Sequence, residues 1–237
     1  MAEIVYPPVI RTARILFKAL DVRFRIEGAE RVPRTGGAVL VSNHIGYLDF
    51  IFAGYAAWPS RRLVRFMAKQ EVFAHPVSGP LMRAMHHIPV DRSAGAGAYG
   101  NAVQALKDGE IVGVFAEATI SRSFTIKDIK SGAVRMAAEA GVPMIPLTLW
   151  GTQRLWTKGR PRALTQRHVP ITILVGEPMH PTSDDDITVV TEDLRKRMTE
   201  MLDHAQRTYP QLSEGAWWQP RHLGGTAPTP EEAAAMD

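Results

Sequence analysis

The segment Asn43-His44-Ile45-Gly46-Tyr47-Leu48-Asp49 carries an imidazole and a carboxylate with four residues between them. A histidine held by a carboxylate works as a general base near neutral pH, and a base needs only a hydroxyl and an activated electrophile to run a group transfer. On one regular helix, positions five apart point roughly 140° away from each other, at about 100° per residue. The pair therefore meets only if the chain turns within the interval. Ala38-Val39-Leu40-Val41 reads as a buried strand, and the apolar run from Phe50 to Ala57 reads as the start of a buried helix. A strand-to-helix turn, eased by Gly46, would fold Asp49 back onto His44. One ring nitrogen then donates to the carboxylate, and the other is left to take a proton from a substrate. The same spacing also suits a loop histidine beside a helix-capping aspartate.

Polar groups at the ends of other strands would share that crevice, because ligands of parallel sheets bind beyond the carboxyl ends of the strands. Arg92 follows Ile88-Pro89-Val90 and suits bidentate contact with a phosphate, although a solvated surface arginine is the plainer reading. Phe115-Ala116-Glu117-Ala118-Thr119 ends the apolar run that begins at Ile111. There Glu117 can hold a hydroxyl or order cations, and Thr119 and Ser121 can donate to phosphate oxygens. Lys69, Arg122, Lys127 and Lys130 add positive charge close by in sequence.

Other patterns lose on context. Gly95-Ala96-Gly97-Ala98-Tyr99-Gly100 spells the dinucleotide fingerprint, but Asp91-Arg92-Ser93-Ala94 separates it from the strand end where the phosphate turn must lie. It reads as a flexible glycine-rich lead into a helix. His86 and His87 are adjacent and would point apart on an extended chain, so no metal site is expected. No G-x-S-x-G elbow is present, which disfavours a serine hydrolase. With no cysteine, thiolate catalysis, disulfides and cysteine metal sites are all excluded.

These groups need a frame. At 237 residues with 45% hydrophobic content, the chain can bury one full core. Strand signals at 22–26, 38–41, 63–68, 88–90, 111–115, 144–149 and 171–175 alternate with helical segments near 48–58, 98–108, 130–140 and 186–206. The expected fold class is α/β: a mostly parallel central sheet flanked by helices. Residues 1–20 form a separate leading element, a helix with Ile4, Val9, Ile10, Leu16 and Phe17 on its apolar side and Arg11, Arg14 and Lys18 elsewhere. That pattern fits a membrane-surface helix and equally a helix packed on its own domain. Residues 21–210 form the main domain, and 211–237 are expected as a partly disordered tail anchored by Trp217 and Trp218. Residues 1–179 hold 23 Lys and Arg against 13 Asp and Glu, while 180–237 hold 5 against 11. The basic part would suit an anionic surface or ligand. No apolar stretch approaches the length of a transmembrane span.

Taken in order, these blocks resemble the glycerolipid acyltransferases of the PlsC type over about residues 20–180. His44 and Asp49 match the H-x4-D block. Ala68-Lys69-Gln70-Glu71-Val72-Phe73 is similar to the lysine-bearing segment, and Ile88-Pro89-Val90-Asp91-Arg92 to the block whose arginine contacts the acceptor phosphate. Phe115-Ala116-Glu117-Ala118-Thr119 matches the block usually written F-P-E-G-T, with alanines for its proline and glycine. Ile120 stands where arginine is common, a place Arg122 can serve, and Val142-Pro143-Met144-Ile145-Pro146 matches the apolar fourth block. The run from Glu117 to Ser123 resembles an actinobacterial branch.

The resemblance implies a glycerolipid acyltransferase fold and an acyl-CoA-dependent O-acyltransferase acting on a 1-acylglycerol 3-phosphate or related lysophospholipid. His44 would be the base and Asp49 its orienting group. Lys69, Arg92, Glu117, Ala118, Thr119 and Arg122 would bind substrate, and Val142, Pro143, Ile145 and Pro146 would line the acyl path. No cofactor is expected beyond the co-substrate, acyl-CoA or acyl carrier protein. Expected partners are the acyl thioester donor, the lysophospholipid acceptor and an anionic membrane surface, with no nucleic acid and no metal. The expected location is peripheral, on the cytoplasmic face of the cell membrane. Two rivals stay open: the same chemistry on another hydroxyl, such as a glycolipid, and a non-catalytic module binding anionic lipid or nucleic acid.

Overall fold

A computed structural model describes residues 3–91 and 95–236. Its strands are Arg23–Glu27 (β1), Ala38–Ser42 (β2), Val64–Lys69 (β3), Ile88–Val90 (β4), Ile111–Phe115 (β5), Met144–Trp150 (β6) and Pro170–Val175 (β7). They form one sheet in the order β1-β7-β6-β2-β5-β3-β4. Every pairing is parallel except β6 with β7. The mostly parallel α/β architecture expected from the alternating pattern is therefore present, with β7 and β1 running against the other five strands.

Strand β2 lies near the middle, and all five of its residues are buried. That explains its unbroken apolar run, since a strand covered on both faces has no polar side to show. Helices Gly95–Lys107 (α5), Gly132–Ala140 (α6) and Ile187–Arg207 (α7) cover one face, packing on Val39, Val41, Val112 and Met144. Leu194, Met198, Leu202 and Ala205 supply the buried stripe of α7, and Asp186 caps its first turn through the N–H groups of Thr188 and Val189. Helix Asp49–Ala56 (α2) covers the other face over Leu40, Ile145 and Ile171.

The leading helix spans Tyr6–Ala19 (α1), with prolines in its first turn, where no intrahelical N–H bond is lost. One face packs on the domain and another is left open. Phe17 packs against Phe24, Phe52 and Tyr55, and the Tyr6 hydroxyl donates to the Val64 carbonyl at 2.8 Å. Ile15 and Leu16 remain 61% and 54% exposed beside the basic residues. Among the described residues no helix is long and apolar enough to cross a membrane.

Three features differ from expectation, and a fourth gives His87 its place. Gln70–Ala74 (α3) and Ser78–Ala84 (α4) are short helices without a full apolar period, so the pattern did not reveal them. The glycines near 95–100 lie inside α5 itself, and a methyl group added at Gly97 or Gly100 would meet nothing within 4 Å. They mark neither a phosphate turn nor a flexible lead. His87 is a buried residue whose Nδ1 accepts from the Phe66 N–H, and burial, with Arg65 and His86 nearby, pushes its pKa down to about 4. Lastly, the tail expected at 211–237 is anchored at points beyond Trp217 and Trp218, although most of its described residues are exposed. Trp218, Gln219, Ala227 and Ala233 are buried, and Pro230–Ala234 (α8) carries a capping box between Thr229 and Glu232. Small buried alanines gave no periodic signal.

Candidate active site

Parallel register brings the blocks together. Ser42 of β2 sits level with Phe115 of β5 on one side and Leu147 of β6 on the other. His44 and Glu117 each lie two residues beyond that line, at the same carboxyl edge.

The turn folds as its spacing suggests. His44 Nδ1 lies 3.0 Å from Asp49 Oδ2, and Asp49 is fully buried. Oδ2 also accepts the N–H groups of Ile45 at 2.6 Å and Gly46 at 2.8 Å, while Oδ1 accepts the Thr152 hydroxyl at 2.6 Å. A carboxylate with this many donors is held in one orientation, with its oxygens as acceptors. It therefore accepts from Nδ1–H and fixes the tautomer with Nε2 bare. The imidazole keeps 21% of its surface open, and among the described residues nothing hydrogen-bonds Nε2. Its face stacks on Phe115 at 4.3 Å, and Phe115 stacks on Phe66 at 5.9 Å. Gly113 makes room for that arrangement, since a methyl group there would come 2.5 Å from the Phe66 ring. Gly46 acts through space rather than backbone angle. It is not among the positive-φ glycines, and an added methyl group would come 3.0 Å from the Trp156 carbonyl.

Glu117 is 4% exposed, its carboxyl turned to the backbone of the His44 turn. Its oxygens accept the N–H of His44 at 3.0 Å and of Lys127 at 3.1 Å. Burial pushes its pKa up to about 7, against the pull of those two N–H groups and with a further push from Asp49. Glu117 thus ties the His44 turn to Lys127, and its buried carboxyl is placed as a brace for that turn rather than as the open holder of an acceptor hydroxyl read from the sequence. Ser121 is likewise enclosed: its hydroxyl donates to the Thr125 carbonyl at 2.8 Å, and its N–H donates to the His44 carbonyl at 2.7 Å.

The remaining expected residues divide. Lys69 ends β3 on the same sheet edge and is exposed. Thr119 is partly exposed there, its hydroxyl only 3.5 Å from the Ile120 carbonyl. Arg122 lies against Gly159, where an added methyl group would come 2.6 Å from Nη1. Arg92 lies outside the described residues. The fourth block is not brought to the imidazole. Val142 and Pro143 precede β6 at the opposite sheet edge, where the Pro143 carbonyl accepts the Val39 N–H at 2.9 Å, and Ile145 and Pro146 are buried in the sheet. As placed, Val142 and Pro143 are half-buried at the far edge and Ile145 and Pro146 lie in the core, which corrects their reading as an acyl path beside the imidazole.

Ala118 is exposed at φ 61°, a left-handed conformation that suits glycine. This accounts physically for the glycine usual at that place in the motif. Ala118→Gly is expected to raise the thermal midpoint by roughly 2–4 °C, from about 1 kcal/mol of relieved strain in a chain of this size. Differential scanning calorimetry checks this.

Three positioning residues went unnoticed in sequence. Asn43 is fully buried and spans to β6, exchanging hydrogen bonds with the Leu149 carbonyl at 3.0 Å and N–H at 2.7 Å. Thr152 reaches Asp49, and Thr157 donates to the Ile45 carbonyl at 2.6 Å. The rule that found Glu117 beyond β5, applied to the end of β6, would have found Thr152.

The site is thus an imidazole–carboxylate pair on the carboxyl edge of a mostly parallel sheet, with the outer ring nitrogen bare. The chain belongs to the acyltransferase family, whose model matches residues 23–150. A 1-acyl-sn-glycerol-3-phosphate acyltransferase of Bacillus subtilis (strain 168) is 28% identical over 187 residues, covering 75% of this chain and 87% of that protein. The enzyme of the same name from Limnanthes douglasii is 32% identical over 173 residues, covering 71% of this chain and 57% of that protein. The crystal structure of the 1-acyl-sn-glycerophosphate acyltransferase PlsC from Thermotoga maritima shares the fold with a TM-score of 0.72 at 22% identity, over 86% of this chain and 81% of that one.

Proposed function

We propose that this acyltransferase moves a fatty acyl group from an acyl thioester to the free glycerol hydroxyl of 1-acyl-sn-glycerol 3-phosphate. The observation that carries the reading is the 3.0 Å contact of His44 Nδ1 with the fully buried Asp49, which leaves Nε2 for the hydroxyl proton. The hydroxyl oxygen attacks the thioester carbonyl carbon as its proton passes to Nε2. The C–S bond then breaks, and the departing thiolate takes the proton back from the imidazolium. Asp49 orients the ring and stabilises its charged form.

Lys69 on the sheet edge and Arg92, on its resemblance alone, hold the acceptor phosphate. The acyl chain lies toward the apolar crevice between α1 and α2, lined by Val9, Ile10, Phe50, Ile51 and Tyr55. Phe50 packs edge-on to Phe66, which joins that crevice to the rings beneath His44. The exposed Ile15 and Leu16 with Arg11, Arg14 and Lys18 rest on an anionic membrane surface, where a short helix with apolar and basic groups binds peripherally.

Purified protein given palmitoyl- or oleoyl-CoA and a panel of lysophospholipids tests the reading. Thiol release should depend on 1-acyl-sn-glycerol 3-phosphate, and release unaffected by every lysophospholipid would reject it. Arg92→Ala should raise the acceptor KM by about tenfold or more while leaving the donor KM near its original value. Equal effects on both would argue against a phosphate clamp.

A further inference from the structure

Between β6 and β7 the chain carries Arg154, Lys158, Arg160, Arg162 and Arg167, with no aspartate or glutamate from 151 to 168. This basic strap is tied directly to the catalytic turn. Thr152 donates to Asp49, Thr157 donates to the Ile45 carbonyl, and the Tyr47 N–H donates to the Trp156 carbonyl at 3.0 Å. The rings of Tyr47 and Trp156 lie 4.6 Å apart, and the Arg162 guanidinium lies 4.2 Å from the centre of Trp156. Arg160 lies over Trp217 in the same way, at 4.9 Å. Tyr47, Arg160 and Arg162 are exposed, and neither guanidinium is paired with a carboxylate among the described residues. An arginine laid on an indole is oriented by the ring face, so its charge remains available to an incoming anion.

Transfer between two anionic substrates needs two cationic seats beside one base. His44 follows β2, with Lys69 at the end of β3 on one flank and the strap after β6 on the other. The strap flank adds flat rings to its charge, which suits a purine with phosphates rather than a glycerol phosphate. We propose that the strap binds the nucleotide end of acyl-CoA, its phosphates on Arg160 and Arg162 and its adenine against Tyr47 and Trp156. The pantetheine arm then runs inward to the imidazole. This assignment rests on the proposed thioester-dependent transfer. A bilayer would also meet cations and rings here, but the strap's one exposed large aliphatic residue is Leu164, whereas α1 displays Ile15 and Leu16. Insertion needs apolar side chains, so the membrane fits α1 better.

The test is the double variant Arg160→Glu with Arg162→Glu, both at exposed positions, with thermal melting to verify the fold. Titration of coenzyme A itself, read by tryptophan fluorescence, needs no turnover, and the variant should bind it about tenfold or more weakly. In turnover, the KM for palmitoyl-CoA should rise by a similar factor. The KM for palmitoyl-pantetheine, which lacks the nucleotide, and for the acceptor should stay within about twofold. Unchanged affinity for coenzyme A, or an equal rise in the pantetheine thioester KM, would overturn the assignment. So would a loss confined to sedimentation with phosphatidylglycerol vesicles, which would make the strap a membrane contact. If the unmodified protein transfers no acyl group, the functional reading fails, while the coenzyme A titration still decides the strap's ligand.

Discussion

His44→Ala is expected to lower the turnover number by about a thousandfold or more while the protein stays folded, near the upper end of what a positioned general base contributes. The separation of activity from stability follows from where the loop's bonds lie. The His44 N–H to Glu117 and the Ser121 N–H to the His44 carbonyl are backbone groups and survive the substitution. The side chain gives up one hydrogen bond to Asp49 and its stack on Phe115. Asp49 keeps the N–H groups of Ile45 and Gly46 and the Thr152 hydroxyl, so the buried carboxylate is not orphaned. Circular dichroism and melting should therefore change little. Near-normal turnover by the purified variant would remove His44 from the chemistry.

Asp49→Ala is expected to cost both function and fold. It strands the N–H groups of Ile45 and Gly46 and the Thr152 hydroxyl in a buried site. Each unsatisfied buried group costs about 1–3 kcal/mol, so the sum is roughly 3 kcal/mol or more. For a chain of this length that lowers the thermal midpoint by about 6–12 °C. Asp49→Asn separates the two effects. Its carbonyl oxygen can still accept from the turn, and its amide can donate to Thr152, so the fold is largely kept. Turnover should nevertheless fall by about a hundredfold, because a neutral amide no longer stabilises the imidazolium. The loss should appear in kcat rather than KM, at temperatures where the variant is fully folded. A variant with unchanged kcat would mean that Asp49 serves the turn alone.

The sheet and the dyad were legible for the same reason. Buried parallel strands are written as continuous apolar runs, and the residue after such a run stands at the carboxyl edge, so His44, Lys69 and Glu117 could be placed from their neighbours. What lay beyond reach was direction and partner choice. Glu117 looked available because its letter is polar and its position is a strand end, yet the following turn folds its carboxyl under two N–H groups. Val142 and Pro143 read as part of a functional block, but they precede β6 instead of following it. Thr152, Thr157 and Asn43 contact the turn across more than a hundred residues, or join it to β6, and no local pattern encodes such contacts. In the tail Ala227 and Ala233 are buried, and isolated alanines leave no periodic mark.

General-base catalysis here turns on one proton on one ring. Nitrogen-15 spectra of histidine-labelled protein, with His44 assigned by the signals missing from His44→Ala, report which nitrogen of the neutral imidazole carries it. The hydrogen is predicted on Nδ1, facing Asp49, with Nε2 bare. A neutral His44 found instead with its hydrogen on Nε2 would leave no acceptor for the substrate hydroxyl and would contradict general-base catalysis by this residue.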